Sequence, residues 1–147
     1  MVRESSVSMP TLIFGVSGMV PFVGLAAMIG LGPPTWYVYW MVALSYYGAV
    51  ILSFVGALHW AYALKRNAQG RSAWMQYTFS VSPALIAWLS LLFPVWTGLQ
   101  LQAAALLICM LFDRRMSCLD PLPTWFFRLR IVLTTVAAAS LITASVL

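Results

Sequence analysis

Long apolar stretches alternate with short polar segments along the whole chain. The apolar stretches occupy residues 10–30, 41–64, 74–93, 97–112 and 131–147. About 20 residues of α-helix, each rising about 1.5 Å, cross a hydrocarbon core about 30 Å thick. Each stretch is therefore predicted to be a transmembrane helix. The first is interpreted as a retained helix and not as a signal peptide, because its apolar length exceeds the roughly 7 to 15 residues of a signal core.

Prolines refine these predicted helices. Pro21 and Pro83 lie inside the first and third stretches, where proline removes a backbone donor and is expected to bend a helix. The last stretch, residues 131–147, is allowed to extend back as far as Pro123, because proline is tolerated in a first helical turn. The fourth, residues 97–112, is expected to reach back to Val95.

The composition excludes a soluble monomer. Of the 147 residues, 63% are hydrophobic and 7% are charged, and the mean hydropathy is +0.92. Soluble domains are about half apolar and about a quarter charged. The longest segment between the apolar stretches, residues 113–130, is too short for a separate domain. The fold class predicted is all-α, a single transmembrane helical domain over residues 1–147 that forms a bundle of five transmembrane helices.

All the basic residues fall on one side of this five-helix arrangement. By the positive-inside rule that side faces the cytoplasm of a bacterium or the matrix of a mitochondrion. We therefore expect the N-terminus inside and the C-terminus outside, in a bacterial or mitochondrial inner membrane. Because these charges are dispersed between apolar stretches, they do not form a patch for nucleic acid. The basic residues are Arg3, Lys65, Arg66, Arg71, Arg114, Arg115, Arg128 and Arg130.

Small residues recur along the second stretch. Five of them are spaced every four residues, and two glycines fall beside them on the same side of the helix. Small residues let another helix approach closely, which gives packing contacts where lipid supplies no hydrophobic drive between helices. This surface is predicted to pack inside the bundle, or against a second copy or another protein. It comprises Ser45, Gly48, Ala49, Ser53, Gly56 and Ala57, and continues to Ala61.

His59 is the single histidine of the sequence, and it lies near the inner end of the second stretch beside Trp60. An ionisable residue at membrane depth is a candidate functional residue. A structural hydrogen bond, a ligand-binding or proton-handling role, and haem ligation are the alternatives. Asp113, at the inner end of the fourth stretch, is the acidic residue best placed to contact it. We therefore expect a buried polar contact between His59 and Asp113.

The segment between the fourth and fifth stretches combines arginine with aromatic residues. It is interpreted as an interfacial segment, in which aromatic rings enter the membrane and guanidinium groups reach lipid phosphates or an anionic partner. The alternative is plain topology with an ion pair between Asp113 and an arginine. The residues assigned to the headgroup region are Arg114, Arg115, Trp125, Arg128 and Arg130.

Catalytic and metal chemistry find little support. Paired carboxylates, zinc-ligand spacing and a phosphate-binding loop are all missing from the sequence. Neither catalytic residues nor a metal site nor a cofactor is predicted, and an enzyme is not expected. Cys109, in an apolar run, and Cys118, in a polar loop, are expected to be free thiols.

The segment from Tyr47 to Trp60, with its Ser-Phe-x-Gly-x-x-His-Trp core, resembles a family of small multi-helix membrane proteins of unknown function. Asp113-Arg-Arg and the segment from Pro123 to Arg130 continue the resemblance. Members occur in proteobacteria and, in eukaryotes, as small mitochondrial transmembrane proteins. The resemblance implies an all-helical inner-membrane protein and no particular activity. A likeness to the translocator protein family, which binds porphyrin and sterol-like ligands, rests on size, helix number and tryptophan content.

Two classes of function agree with these features. The first is a non-enzymatic accessory or assembly subunit of a larger respiratory or photosynthetic inner-membrane complex, whose partners are the lipid bilayer and other membrane subunits or a second copy of the chain. The second is a membrane-embedded binder or carrier of an apolar ligand such as quinone, lipid or tetrapyrrole, with a pocket between proline-bent helices.

Overall fold

A computed structural model describes residues 9–67, 69–119 and 124–147, and leaves the side chains of residues 116–119 and 124 undescribed. All regular structure in these ranges is helical. The α-helices are α1 (Met9–Ser17), α2 (Val20–Leu31), α3 (Tyr37–Lys65), α4 (Gly70–Ser90), α5 (Val95–Leu119) and α6 (Thr124–Val146), and a 3-10 turn, Pro34–Trp36, precedes α3.

Each apolar stretch of the sequence is helical, but several boundaries differ from the prediction. The fourth predicted helix begins at Val95, as expected, but continues through Asp113 to Leu119, and the last begins at Thr124, within the extension back to Pro123 that the prediction allowed. Cys118 therefore belongs to α5, and its expected position in a polar loop was wrong. Helices α5 and α6 extend past the apolar stretches because charged residues can continue a helix wherever they reach the aqueous boundary.

The first apolar stretch contains a break between α1 and α2, at Gly18 and Met19. Pro21 lies in the first turn of α2, and because it has no N–H it cannot donate to the carbonyl of Ser17. The hydroxyl of Tyr47 in α3 donates a hydrogen bond of 2.8 Å to the carbonyl oxygen of Gly18. This bond satisfies a carbonyl at the break, as the lipid environment requires. The bend expected from Pro21 is thus present as an interruption just before it.

Helix α3 is the centre of the bundle. It packs against α2, α4, α5 and α6, while α5 pairs with α6 and α2 lies along α6. The core is built mainly from leucine and alanine, and its fully buried leucines are Leu44, Leu52, Leu99, Leu106 and Leu141.

The basic residues of the described ranges lie near one set of helix ends. The end of α3, the start of α4, the end of α5 and the start of α6 meet at one end of the bundle, which we call the basic end. Seven basic residues within the described ranges lie there: Lys65, Arg66, Arg71, Arg114, Arg115, Arg128 and Arg130.

Four helical segments in the described ranges are long and apolar enough to cross a membrane: Met9–Leu31, Pro34–Lys65, Val95–Arg115 and Trp125–Val146. Their mean hydropathies lie between 1.7 and 2.1. Many large apolar side chains on these segments are exposed, as expected for surfaces in contact with lipid. The helix α4 does not reach the same apolarity.

The glycines of α3 mark two close contacts. A Cβ atom on Gly56 would overlap the carbonyl oxygen of Ser80 in α4, and one on Gly48 would overlap Oε1 of Gln102 in α5. Both glycines are buried, as are Ser45 and Ala49. At these positions the closely packed neighbours are helices of the same chain.

The small-residue surface does not stay inside the bundle along its whole length. Ser53 is half-buried and bonds its own helix at Ala49, whereas Ala57 and Ala61 are exposed. Four residues turn a helix by about 400°, so a row with this spacing rotates about 40° per step. The row therefore leaves the core before the basic end, and Ala57 is not an internal packing position.

Candidate functional site: a charged cluster and a cavity at the basic end

Three ionisable side chains from three helices meet at the basic end. Nε2 of His59 in α3 lies 2.9 Å from Oδ1 of Asp113 in α5, and Nε of Arg130 in α6 lies 2.7 Å from Oδ2 of the same carboxylate. The side chains are 14%, 11% and 11% exposed for His59, Asp113 and Arg130 respectively. We call these residues the charged cluster. Asp113 accepts from both neighbours, one at each oxygen, so its negative charge is compensated at the site.

Local sequence explains why these groups meet. His59 precedes Lys65 by six residues, or about 9 Å of helix, and Arg130 follows Thr124 by the same spacing. Both side chains therefore start below their loops and at similar depths. Asp113 reaches the same level because α5 continues beyond it to Leu119.

Aromatic rings surround the histidine. Phe79 of α4 and Phe112 of α5 are stacked, with ring centroids 3.5 Å apart and an interplanar angle of 17°. The imidazole of His59 meets both rings edge to face, at 5.2 and 5.6 Å between centroids. Such contacts restrict the orientation of the imidazole. His59 is consequently held by four helices: its own, α4 through Phe79, α5 through Phe112 and Asp113, and α6 through the shared carboxylate.

The structure places the predicted contact between His59 and Asp113 and adds a second partner, Arg130. Trp60, which was grouped with them from the sequence, lies elsewhere: it is exposed and meets the ring of Tyr77 at 4.8 Å. Nε2 of His59 is engaged with Asp113, which leaves that nitrogen unavailable to a haem iron in this arrangement.

The arginines assigned to the headgroup region separate into two kinds. Arg114, Arg115 and Arg128 are exposed, so their contact with lipid phosphate stays a prediction. Arg130 differs from that expectation, because its guanidinium turns inward to Asp113. Trp125 is half-buried with its ring against Phe126, and its indole nitrogen is buried without a hydrogen-bond partner among the described residues.

A cavity of about 150 Å³ adjoins the charged cluster. It lies between α1 and α2 on one side and α3, α5 and α6 on the other, and it is partly open. Its wall is apolar except near Arg130 and Thr134. Gly15 of α1 and Gly18 at the helix break also line it, and their lack of side chains leaves room there. The lining also includes Phe14, Met19, Phe22, Ile51, Phe54, Val55, Leu106, Leu133 and Ala137.

In the described part of the chain, no group of three or more His, Cys, Asp or Glu residues is placed to hold a metal ion. The buried thiol of Cys109 lies one helical turn from Asp113, within the core.

A second polar cluster lies deeper in the bundle and was not predicted. Nε2 of Gln102 donates to the carbonyl oxygen of Ser45 at 3.0 Å and to Oγ of Ser90 at 2.9 Å. Gln102 is 0% exposed. We call Gln102, Ser45 and Ser90 the neutral cluster. The signal was present in the sequence, since Gln102 interrupts the fourth apolar stretch, and a polar residue there needs partners on other helices.

The sequence comparisons agree with this architecture. A family model described as "Protein of unknown function (DUF3429)" matches residues 7–146. The chain belongs to this family. The DUF3429 match thereby covers every helix described above, and the family assignment implies no activity.

Two proteins similar to this chain carry the name Transmembrane protein 69. The protein of Xenopus tropicalis is 37% identical over 137 residues, which are 90% of this chain and 52% of the relative. The protein of Mus musculus is 25% identical over 138 residues, covering 94% of this chain and 56% of the relative. The chain thus spans about half the length of these curated relatives. No solved structure matches it.

Proposed function

We propose that the chain crosses an inner membrane five times, with its basic end in the cytoplasm or matrix and its C-terminus on the opposite side. The contacts of α4 support a fifth span. Tyr77 of α4 contacts Trp60 of α3 near the basic end. At the opposite end of α4, Ser90 accepts a hydrogen bond from Gln102, which also donates to Ser45 of α3. The fifteen residues from Ser45 to Trp60 correspond to about 22 Å of helix, so α4 runs alongside α3 through most of the bilayer.

Reporter fusions test this topology. Fusions after Lys65, after Trp96 and at Leu147 should report inside, outside and outside. An inside signal at Leu147 would contradict the proposed orientation. Fractionation of the producing cells, with the chain recovered outside the inner membrane, would contradict the location.

Within that membrane, we propose a non-enzymatic role as an accessory or assembly subunit of a larger complex. The observation that carries this proposal is the composition of α4, which is not among the described segments apolar enough to span a membrane and which exposes polar as well as apolar side chains on its outer surface. Thr78 is exposed there, and Ser72 bonds Gln76 along the same helix at 3.0 Å. Oε1 of Gln76 is buried and has no partner in the described residues. Polar groups at membrane depth favour contact with another protein over contact with lipid.

The exposed part of the small-residue surface supports the same face. Ala57 and Ala61 of α3 lie toward the end of that helix at which Trp60 contacts Tyr77 of α4. Small side chains permit a further helix to approach closely. The proposed partner surface therefore comprises Ala57, Ala61 and Thr78.

A photo-crosslinking amino acid at position 78 provides a direct test of this surface. In native membranes it should crosslink to another protein, or to a second copy of the chain. The matched control places the same amino acid at Val132, which is exposed on α6 and should crosslink to lipid alone. Crosslinking to lipid alone from both positions would contradict the partner surface.

The cavity beside Arg130 favours a second candidate function, the binding or carriage of an apolar or amphipathic ligand. The supporting observation is an apolar, partly open space with a polar group at one end, the common form of a ligand pocket. Purification in mild detergent separates the two candidates. Stable co-purifying proteins support the subunit role, whereas an isolated chain that carries a lipid-soluble molecule supports the binding role.

A further inference from the structure

We propose that the cavity beside Arg130 binds the ring of a quinone, with a ring carbonyl accepting a hydrogen bond from the guanidinium. This inference rests on the second candidate function above and names its ligand class. It is drawn from the size of the cavity, the composition of its wall and the state of charge at its polar end.

The size of the cavity selects a small ring or a short segment of chain. Its volume of about 150 Å³ is smaller than the roughly 300–1,000 Å³ of pockets that enclose whole drug-sized ligands. An apolar cavity of about this volume holds a benzene-sized molecule. A tetrapyrrole or a sterol is too large, whereas one six-membered ring fits and its substituents and tail extend through the open side.

The wall of the cavity is suited to a planar ring. Phe14, Phe22 and Phe54 come from three helices and line it together. Aromatic side chains pack against a planar ring by stacked or edge contacts. Gly15 of α1 and Gly18 at the helix break carry no side chains, which widens the space beside Phe14.

The polar end of the cavity offers hydrogen-bond donors. Nε of Arg130 donates a hydrogen bond to Asp113. Within the described residues, this is the one hydrogen bond that the guanidinium makes. Arginine carries five N–H donors, so the Nη nitrogens retain donors for a ligand. Arg130 is also a cavity-lining residue.

Charge balance favours a neutral acceptor over an anion. Arg130 is already paired with Asp113, so an acidic ligand at the guanidinium would place a second negative charge close to that carboxylate. A carbonyl oxygen accepts from the guanidinium without adding charge. A neutral ring that bears carbonyl groups and an apolar tail is a quinone.

Binding of duroquinone and of durene tests the proposal. Both are tetramethyl-substituted six-membered rings, and durene lacks the two carbonyl oxygens. Equilibrium dialysis in detergent, with the bound probe quantified by chromatography, gives a Kd for each. In the unmodified chain duroquinone should bind at least about tenfold more tightly than durene, as expected for a hydrogen bond from a charged donor. Equal affinities would overturn the proposal.

The variants separate the ring from its hydrogen bond. Removing both charges together, with Arg130→Leu and Asp113→Ala, avoids leaving one of them buried alone. This double variant should lose the preference for duroquinone and keep its affinity for durene. Ala137→Leu fills the cavity and should weaken both probes at least about tenfold, because Ala137 is buried in the lining. Ala139→Leu makes the same change at an exposed position of α6 and should alter neither Kd.

The outcomes distinguish this proposal from the candidate function on which it rests. If Ala137→Leu weakens both probes but duroquinone shows no preference, the cavity binds apolar rings and the quinone assignment fails. If Ala137→Leu changes neither Kd, the cavity is not a ligand site and both fail. Palmitate binding more tightly than duroquinone, with loss in the double variant, would replace the quinone with an acidic lipid.

Discussion

The charged cluster of His59, Asp113 and Arg130 and the neutral cluster of Gln102, Ser45 and Ser90 occupy opposite halves of the same bundle. The charged side chains retain 11–14% exposure, whereas Gln102 retains none. Charge near the bilayer centre is expensive to bury, so the ionic contacts lie about 9 Å from the helix ends. A neutral amide can lie deeper, provided that its donors are bonded.

The two clusters also differ in how the bundle makes room for them. Arg130 lines the cavity, and Asp113 lies beside it near the basic end. Gln102 fits because residue 48 is glycine, and a Cβ atom there would overlap Oε1 of Gln102 and lie 3.3 Å from a methyl group of Leu141. The neutral cluster therefore depends on shape, while the charged cluster depends on charge compensation. Each of the following substitutions tests one side of this difference.

The largest effect is expected from Asp113→Ala. This change leaves Arg130 mostly buried without its carboxylate, and loss of one member of a buried pair costs about 3 kcal/mol or more. The free energy of unfolding, measured by denaturant titration in detergent, should fall accordingly. Adding Arg130→Leu to Asp113→Ala should restore part of the loss, since the unpaired charge is removed. A double variant no more stable than Asp113→Ala would show that charge compensation is not what holds this cluster.

A smaller effect is expected from Gly48→Leu. The new side chain has to displace Gln102 and Leu141, and overpacking of this kind costs about 1 to 3 kcal/mol. Gly24→Leu is the matched control, because nothing lies within 4 Å of a Cβ atom at Gly24. The thermal midpoint should fall for Gly48→Leu and stay close to that of the unmodified chain for Gly24→Leu. Equal midpoints would mean that the neutral cluster does not require the glycine.

Replacing Gln102 should cost less again. Gln102→Leu removes the bonds to Ser45 and Ser90, and hydrogen bonds between membrane helices contribute about 0.6 kcal/mol each on average. It also removes Oε1, which is buried without a partner among the described residues, so the net loss should stay near 1 kcal/mol. Gln100→Leu, at an exposed position of the same helix, serves as the control: it removes only a long, exposed bond of 3.4 Å to Oγ of Ser145 and should change the free energy of unfolding little. A loss from Gln102→Leu above that from Asp113→Ala would reverse the comparison between the clusters.

Some contacts of these regions could be predicted from the sequence, and others could not. The contact between His59 and Asp113 follows from counting residues back from the loops, because helical rise converts sequence spacing into depth. An ion pair between Asp113 and an arginine was one of the expectations, but spacing alone does not select the arginine, because the choice depends on how α5 and α6 are rotated about their axes. Since Arg130 lies six residues inside α6, its guanidinium reaches Asp113.

Other features depend on how helices are rotated about their axes, which periodicity in a uniformly apolar sequence barely constrains. The small-residue row identifies Gly48 and Gly56 as close contacts, but it does not show that Ala57 has rotated out of the core. Pro21 indicates a bend, but the bond from Tyr47 to the carbonyl of Gly18 depends on the position of α3. The cavity likewise arises from the packing of α1, α3 and α6, and no single stretch of sequence encodes it.

The smallest expected effect separates the hydrogen bond of His59 from its ring contacts. His59→Gln keeps a donor for Asp113, whereas His59→Leu removes it, and both lose the edge contacts with Phe79 and Phe112. The two variants should therefore differ by about 1 kcal/mol in the free energy of unfolding, the typical contribution of one hydrogen bond, with Gln the more stable. In an Asp113→Ala background this difference should vanish, because the acceptor of the hydrogen bond is gone. The four variants form a double-mutant cycle, which measures the coupling between residues 59 and 113. If the Gln and Leu variants are equally stable in the unmodified background, Arg130 alone satisfies Asp113 and the histidine contributes through its ring.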